Sequence, residues 1–431
     1  MGEIVIPAKF NAHKIYKKMM FLNPYRNVGG SERGDFIFTV ETTAISGGSS
    51  NSKQFKLPLI ALSTVDCIVE WGDGSIDSIT SYDQVETTHT YPEGGEYEIN
   101  ISGVFNGWQF NFGGDRFKIR VIKNWGIFEI INTDSFDGCG GGLTITATDA
   151  PIISTNDLTD TFRTGYSIDN IGDLSQWNPS SHGATNMSRM FEDCGSFNQD
   201  IGSWDMTTVT NISYMLSGCR SFNQDIGSWD MTTVTNISYM LSDCRSFNQD
   251  ISSWNLQGLS SLKGLLMGTL NFRQDISTLN ISTIISLERV FQKSIIYDSI
   301  GISEWDISGV RILRALFYGS EIIGDNINIE NWDTGNVTDM LAIFLNCKNF
   351  NMNLANWNIE NCTNFKLFTD GAYWTTTNYD ATLIGWASQS PKPNVTAEFG
   401  IARYTLGGAA ETARNTLINT YGWIIEDGGG I

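Results

Sequence analysis

Between residues 209 and 219 the apolar side chains Val209, Ile212, Met215, Leu216 and Cys219 recur at i, i+3, i+6, i+7 and i+10. That stripe predicts a short helix, with Thr210 or Asn211 able to cap its start. The segment DIGSWDM alternates apolar and polar and predicts a short strand. The FNQD stretch at its head reads as a turn, because Asn side chains bond the nearby backbone. The same pattern returns one unit later. Residues 196–220 and 221–245 are identical except for Gly218 against Asp243.

The register extends in both directions. Trp stands at 177, 204, 229, 254, 305, 332 and 357, with Leu279 in the remaining place. Phe197, Phe222, Phe247 and Phe272 form a second column, and Cys194, Cys219 and Cys244 a third that breaks at Thr269. One unit cannot bury its apolar stripe, whereas stacked copies can. The expectation is therefore a core ladder of Trp204, Trp229, Trp254, Phe197, Phe222, Phe247, Cys194, Cys219 and Cys244, each Trp stacking on the next and each thiol on the next. The fold class these columns predict is a mixed α/β repeat solenoid with ~25-residue units. The expected divisions are 1–34 (an anchoring arm), 35–122 (an upstream domain), 123–370 (the solenoid) and 371–431 (a capping module).

Composition narrows the function classes. Only 17% of residues are charged, and the formal net charge is −20. An acidic chain lacks the basic face that sequence-independent nucleic-acid binding needs. The first thirty residues differ, with Lys9, Lys14, Lys17, Lys18 and Arg26 against Glu3. Lys14, Lys17, Lys18 and Arg26 are the candidate anchor to other virion or envelope proteins, with a solvated N-terminal segment as the plain alternative. The opening MGEIVIPAKFNAHKIYKKMMF has no apolar core or small-residue cleavage site, so no secretory signal is expected. No stretch has the ~18 apolar residues of a membrane helix. Of seven Cys, three fall at repeat spacing, which is a packing signature rather than a disulfide framework.

The stretch MSRMFEDCGSFNQDIGSWDMTTVTNISYML (187–216) resembles the BspA-type leucine-rich surface-protein repeat, and the likeness extends over roughly 180–360. The tail, NYDATLIGWASQ (378–389) and TARNTLINTYGWIIEDGG (412–429), resembles that family's C-terminal module. Ala410, Ala413, Leu417, Ile418 and Tyr421 make an apolar helix face that Gly422 ends. Trp423, Ile424 and Ile425 can then add a last strand. Upstream, VEWGDGSIDS (69–78) and THTYPEGGEYEINISG (87–102) are similar to a PKD-type immunoglobulin-like domain. The two resemblances imply that the mixed α/β repeat solenoid is leucine-rich-repeat-like and that an all-β immunoglobulin-like sandwich over 35–122 precedes it. The first resemblance implies a bacterial surface protein of the adhesive kind, with relatives in phage genomes.

Chemistry is sparse. His13, His89 and His182 fall in different segments, and no nucleophile sits beside a base. CGGGL (139–143) lacks the Lys of a phosphate loop. CxxC spacing is absent, so no metal site is expected on the Cys column. The Asp200, Asp225 and Asp250 column reads first as turn formers and second as a calcium edge. Asn186, Asn211, Asn236 and Asn336 open Asn-x-Ser/Thr triplets that helix capping explains. The expectation is a non-catalytic protein without cofactors, on a virion surface as a tail-fibre, receptor-binding or decorating component. It would bind a host-surface glycan or protein without entering the membrane. A bacterial cell-surface adhesin and a purely structural cement are the alternatives.

Overall fold

In the computed structural model, residues 33–165, 174, 177–323 and 327–431 are described. The expected anchor Lys14, Lys17, Lys18 and Arg26 lies outside them.

The first strands are β1 (Phe36–Glu41), β2 (Gln54–Lys56), β3 (Val65–Glu70), β4 (Ile76–Ile79), β5 (Thr88–Thr90), β6 (Glu96–Phe105) and β7 (Ile119–Asn124). Short pairs follow: β8 (Glu129–Ile130), β9 (Thr144–Ile145) and β10 (Ile152–Ile153). One six-stranded sheet runs β4-β3-β6-β1-β7-β9, and β2 pairs with β5 apart from it. Most pairings in it are antiparallel, but β7 to β9 is parallel. That change of direction carries the chain into the repeats. Phe36, Phe38, Phe105, Trp108, Trp125 and Phe128 fill the core beneath the sheet, largely in tilted and edge-on ring contacts. Beside it Lys118 is wholly buried. Its ammonium donates to the carbonyls of Ser50, Asn51 and Gln54 at 2.8–3.0 Å and lies 3.2 Å from the Asp115 carboxylate. An internal cation thus pins the 46–56 loop, and its satisfied donors make the burial tolerable.

The repeats do not form the helix-and-strand units that the apolar stripe predicts. In 196–245 the described backbone is turns and single bridges, with neither a helix nor a named strand. Among the described residues the α-helices are α1 (Thr376–Ala387) and α2 (Ala409–Tyr421), both near the C-terminus, and elsewhere in them strands and turns prevail. The α/β repeat solenoid behind an immunoglobulin-like sandwich is therefore corrected to a mainly β structure. The physical reason lies in where the amide hydrogens go. Ile212, Tyr214, Leu216 and Gly218 donate to Asn236, Ser238, Met240 and Ser242, one repeat ahead. The alternate residues Met215, Ser217 and Cys219 donate to the carbonyl three positions back. A helix needs every amide to bond within the segment. Here a residue of left-handed conformation interrupts each unit, at Arg189, Tyr214, Tyr239, Arg289, Ala315 and Ala342. Spacings of three and four serve such stacked turns as well as they serve a helix.

Parallel single-residue bridges mark the path, from Asp157 through Asn186 and Asn211 to Asn236, then from Ser261 through Ser286, Ile312 and Asp339 to Asn364. Two short parallel strands, β11 (Ile295–Tyr297) and β12 (Glu321–Ile323), join the later units. At the end, β13 (Thr396–Glu398) pairs in parallel with β14 (Ile424–Glu426). Between them α2 runs to Tyr421, where Gly422 takes φ +70° and its amide closes onto Leu417 and Ile418.

Candidate functional site: the polar face of the repeats

The core columns lie behind this face. Phe197, Phe222, Phe247 and Phe272 stack with centroids 5.9–6.1 Å apart and planes within 7°. Trp204, Trp229 and Trp254 are buried. Rather than stacking ring on ring, each donates its indole N–H at 3.0 Å to a carbonyl of the preceding unit, at Leu174, Ile201 and Ile226. Trp332 and Trp357 do stack, at 6.4 Å and 12°. The thiols of Cys194, Cys219 and Cys244 are buried and unpaired, and each points at a carbonyl of Phe162, Phe191 or Leu216 at 3.0–3.1 Å. Burial raises the pKa of all three. They are inert hydrogen-bond donors rather than reactive thiolates. Ser294 takes the same place later in the array, donating to Leu266 at 2.7 Å, and Ser320 donates to Phe291. The break at Thr269 hid this continuation, which superimposing units by residue number would have revealed.

Outside, amides and hydroxyls repeat once per unit. Asn198, Asn223 and Asn248 each accept at Oδ1 from the backbone N–H of residues 223, 248 and 273, all at 2.8 Å. Gln224, Gln249 and Gln274 donate back to the carbonyls of those asparagines at 2.9–3.0 Å. The Thr210 and Thr235 hydroxyls reach the carbonyls of Thr185 and Thr210. This lattice of side-chain bonds joins one unit to the next and holds its outer atoms at a fixed repeat.

The acidic columns serve turns. Asp200, Asp225, Asp250 and Asp275 accept from the amide two residues on, at 2.8–2.9 Å. Asp205 and Asp230 accept from both the hydroxyl and the amide of Thr207 and Thr232, which lowers their pKa. Among the described residues no group of three or more His, Cys, Asp or Glu is placed to hold a metal ion. Asn211 and Asn236 accept from the amides of Ser213 and Ser238, so these triplets cap turns rather than helices.

Two features escaped the sequence reading. The half-buried Tyr214 and the buried Tyr239 stack at 4.8 Å, and Arg289 donates to the Tyr239 hydroxyl at 3.3 Å. Tyr239 lies over Gly264, where a Cβ would come within 2.2 Å of the ring. Nearby, Asp137, Asp160 and Glu192 gather around Arg163 and Arg189. Burial and the adjacent Asp193 raise Glu192 to about 7, against the opposing pull of the two arginines.

The units carrying these columns, residues 156–279 and 260–386, match the family described as Mycoplasma protein of unknown function, DUF285. The chain belongs to this family. The DUF285 match spans more than half of the chain. No leucine-rich-repeat or PKD family matches, so the expected assignment to BspA-type leucine-rich proteins with a PKD-type module gives way to DUF285. The WGDG and HTY residues that suggested PKD form a local clasp instead. Trp71 stacks on His89 at 4.7 Å, and Asp73 meets His89 Nε2 at 2.9 Å. No curated protein and no solved structure matches the chain. Among the described residues of this DUF285 protein, no helix is long and apolar enough to cross a membrane.

Proposed function

We propose that this protein is a non-catalytic surface protein whose DUF285 repeats present a fixed lattice of amides and hydroxyls for attachment to a host-surface glycan. The observation that carries the reading is the once-per-unit row of Asn, Gln and Thr, held by bonds between neighbouring units. Such a row matches a hydroxyl-rich polymer, whose own groups also repeat. Rigid polar groups lose little entropy on binding. Membership of a family of surface proteins supports the exposed location.

The carrier in this reading is a virion, with a cell envelope as the alternative. Free, buried thiols at all seven Cys favour folding in a reducing compartment, where virion proteins assemble. Immunogold labelling of particles and envelopes tests the carrier. A glycan array probed with the purified full chain tests attachment. Retention of defined glycans is expected, and a blank array alongside intact fold would overturn the reading.

A further inference from the structure

An open cavity of about 650 Å³ lies where the upstream sheet meets the first repeats. Its wall brings together segments far apart in sequence: Arg33 before β1, Asn124 at the end of β7, Thr148 and Pro151 between β9 and β10, and Ser181 and His182. We propose that this cavity binds a carboxylated sugar, a sialic or uronic acid, with Arg33 and His182 taking the carboxylate. The inference deepens the glycan-attachment reading and rests on it.

The chemistry follows from the wall. Arg33 is tied by one Nη1 bond to the Ala150 carbonyl at 3.0 Å, which holds its guanidinium at the cavity wall. A planar guanidinium suits a carboxylate because two N–H groups can meet two oxygens. His182 ends a short 3-10 turn, Ser180–His182, and Gly183 follows at φ +68°, so the imidazole is set on a tight corner. Burial, and then the charge of Arg33, lower the proton affinity of His182. A bound carboxylate would offset the Arg33 charge, though not the burial.

Asp149, the acidic residue of the wall, has its charge partly offset by backbone dipoles. Its two oxygens accept from the amides of Trp125 and Gly126 at 3.0 and 2.7 Å. The Asn124 amide is similarly held by the Asp35 carbonyl at 2.7 Å. The Thr148 and Ser181 hydroxyls are placed for sugar hydroxyls, and Ala150 with the buried Pro151 supplies an apolar floor for a ring face. Ligand sites favour junctions of this kind, where a few polar groups converge.

The test is titration calorimetry of the full chain with N-acetylneuraminic acid, glucuronic acid, and the neutral sugars galactose and glucose. Binding of one acidic sugar and no heat from the neutral pair is expected, and which acid binds identifies the source of the carboxylate. Arg33→Gln should weaken that binding at least tenfold with an unchanged melting temperature, and His182→Gln should weaken it several-fold. Equal affinity for acidic and neutral sugars, or no effect of Arg33→Gln, overturns the site. Array binding of neutral glycans that Arg33→Gln leaves intact removes the cavity proposal alone. Acidic-sugar binding in the cavity without attachment to any surface removes the attachment reading alone.

Discussion

At the scale of single residues, hydrogen-bond roles explain identities that hydrophobicity does not. Cys219 acts as a buried donor to the Phe191 carbonyl, and Ser294 performs the same task further along. Cys219→Ser should therefore keep the parent's stability within ~0.5 kcal/mol, whereas Cys219→Ala leaves the Phe191 carbonyl with the Cys194 amide as its donor and should cost ~0.5–1.5 kcal/mol more than the serine variant. Urea unfolding of the two variants measures this, and equal losses would refute the donor role. Two acids carry opposite pH signatures. For Asp73, burial opposes ionisation, but bonds from Ser75 and His89 outweigh it and hold the carboxyl at about 2. An unfolded Asp titrates near ~3.9, so Asp73 stabilises the fold above that pH and the contribution fades as pH falls toward 2. Glu192 is raised to about 7 against ~4.3 unfolded. Its neutral form suits the fold, so its contribution is full below ~4.3 and is lost as pH rises through 7. Glu192→Gln should flatten the fall in melting temperature between pH 5 and 8, and an unchanged pH profile would show that Glu192 does not titrate in this window. Neither environment was legible in sequence, because each joins residues that only the turns bring together.

At the scale of elements, the unit of stability is the interface between one repeat and the next. Trp229 fills the core and bonds backward to Ile201, so Trp229→Ala should cost ~3–5 kcal/mol from cavity formation. A melting temperature within error of the parent would show that the Trp column contributes little. Gly264 tests the Tyr214 and Tyr239 pair differently. Other units place Tyr, Arg or Ala in the same left-handed position, so backbone conformation alone does not demand Gly. The close approach of the Tyr239 ring does. Gly264→Ala should cost ~1–3 kcal/mol by overpacking, and in a Tyr239→Ala background the same substitution should cost little. An equal cost in both backgrounds in thermal melts would place the strain in the backbone instead.

At the scale of the whole molecule, nearest-neighbour stacking makes length adjustable. Joining Arg220 to Ser246 removes one complete unit between identical junctions, as the near-identical blocks show. That shortened chain should fold cooperatively with a slightly lower melting temperature, since each unit adds its own interface. Aggregation in gel filtration would show that later units depend on a fixed length. Deleting residues 1–32 tests attachment through Lys14, Lys17, Lys18 and Arg26. The truncated chain should stay folded by circular dichroism and lose its place on the particle, and normal occupancy would end the anchoring idea.

The sequence by itself determined the repeat length, its span, and the residues that superimpose in columns, because identical blocks placed side by side must bring like side chains together. It also determined the helix at 409–421 and its stop at Gly422, where a strong local pattern ends in the residue best suited to a left-handed cap. It did not determine the secondary structure of the repeats. Residues spaced by three and four face one side of a helix and equally one side of stacked turns. Only the tertiary structure chose between them, by sending alternate amides to the neighbouring unit. The cavity at Arg33 and His182 was likewise invisible, since it exists only where the upstream sheet and the first turns are packed against each other.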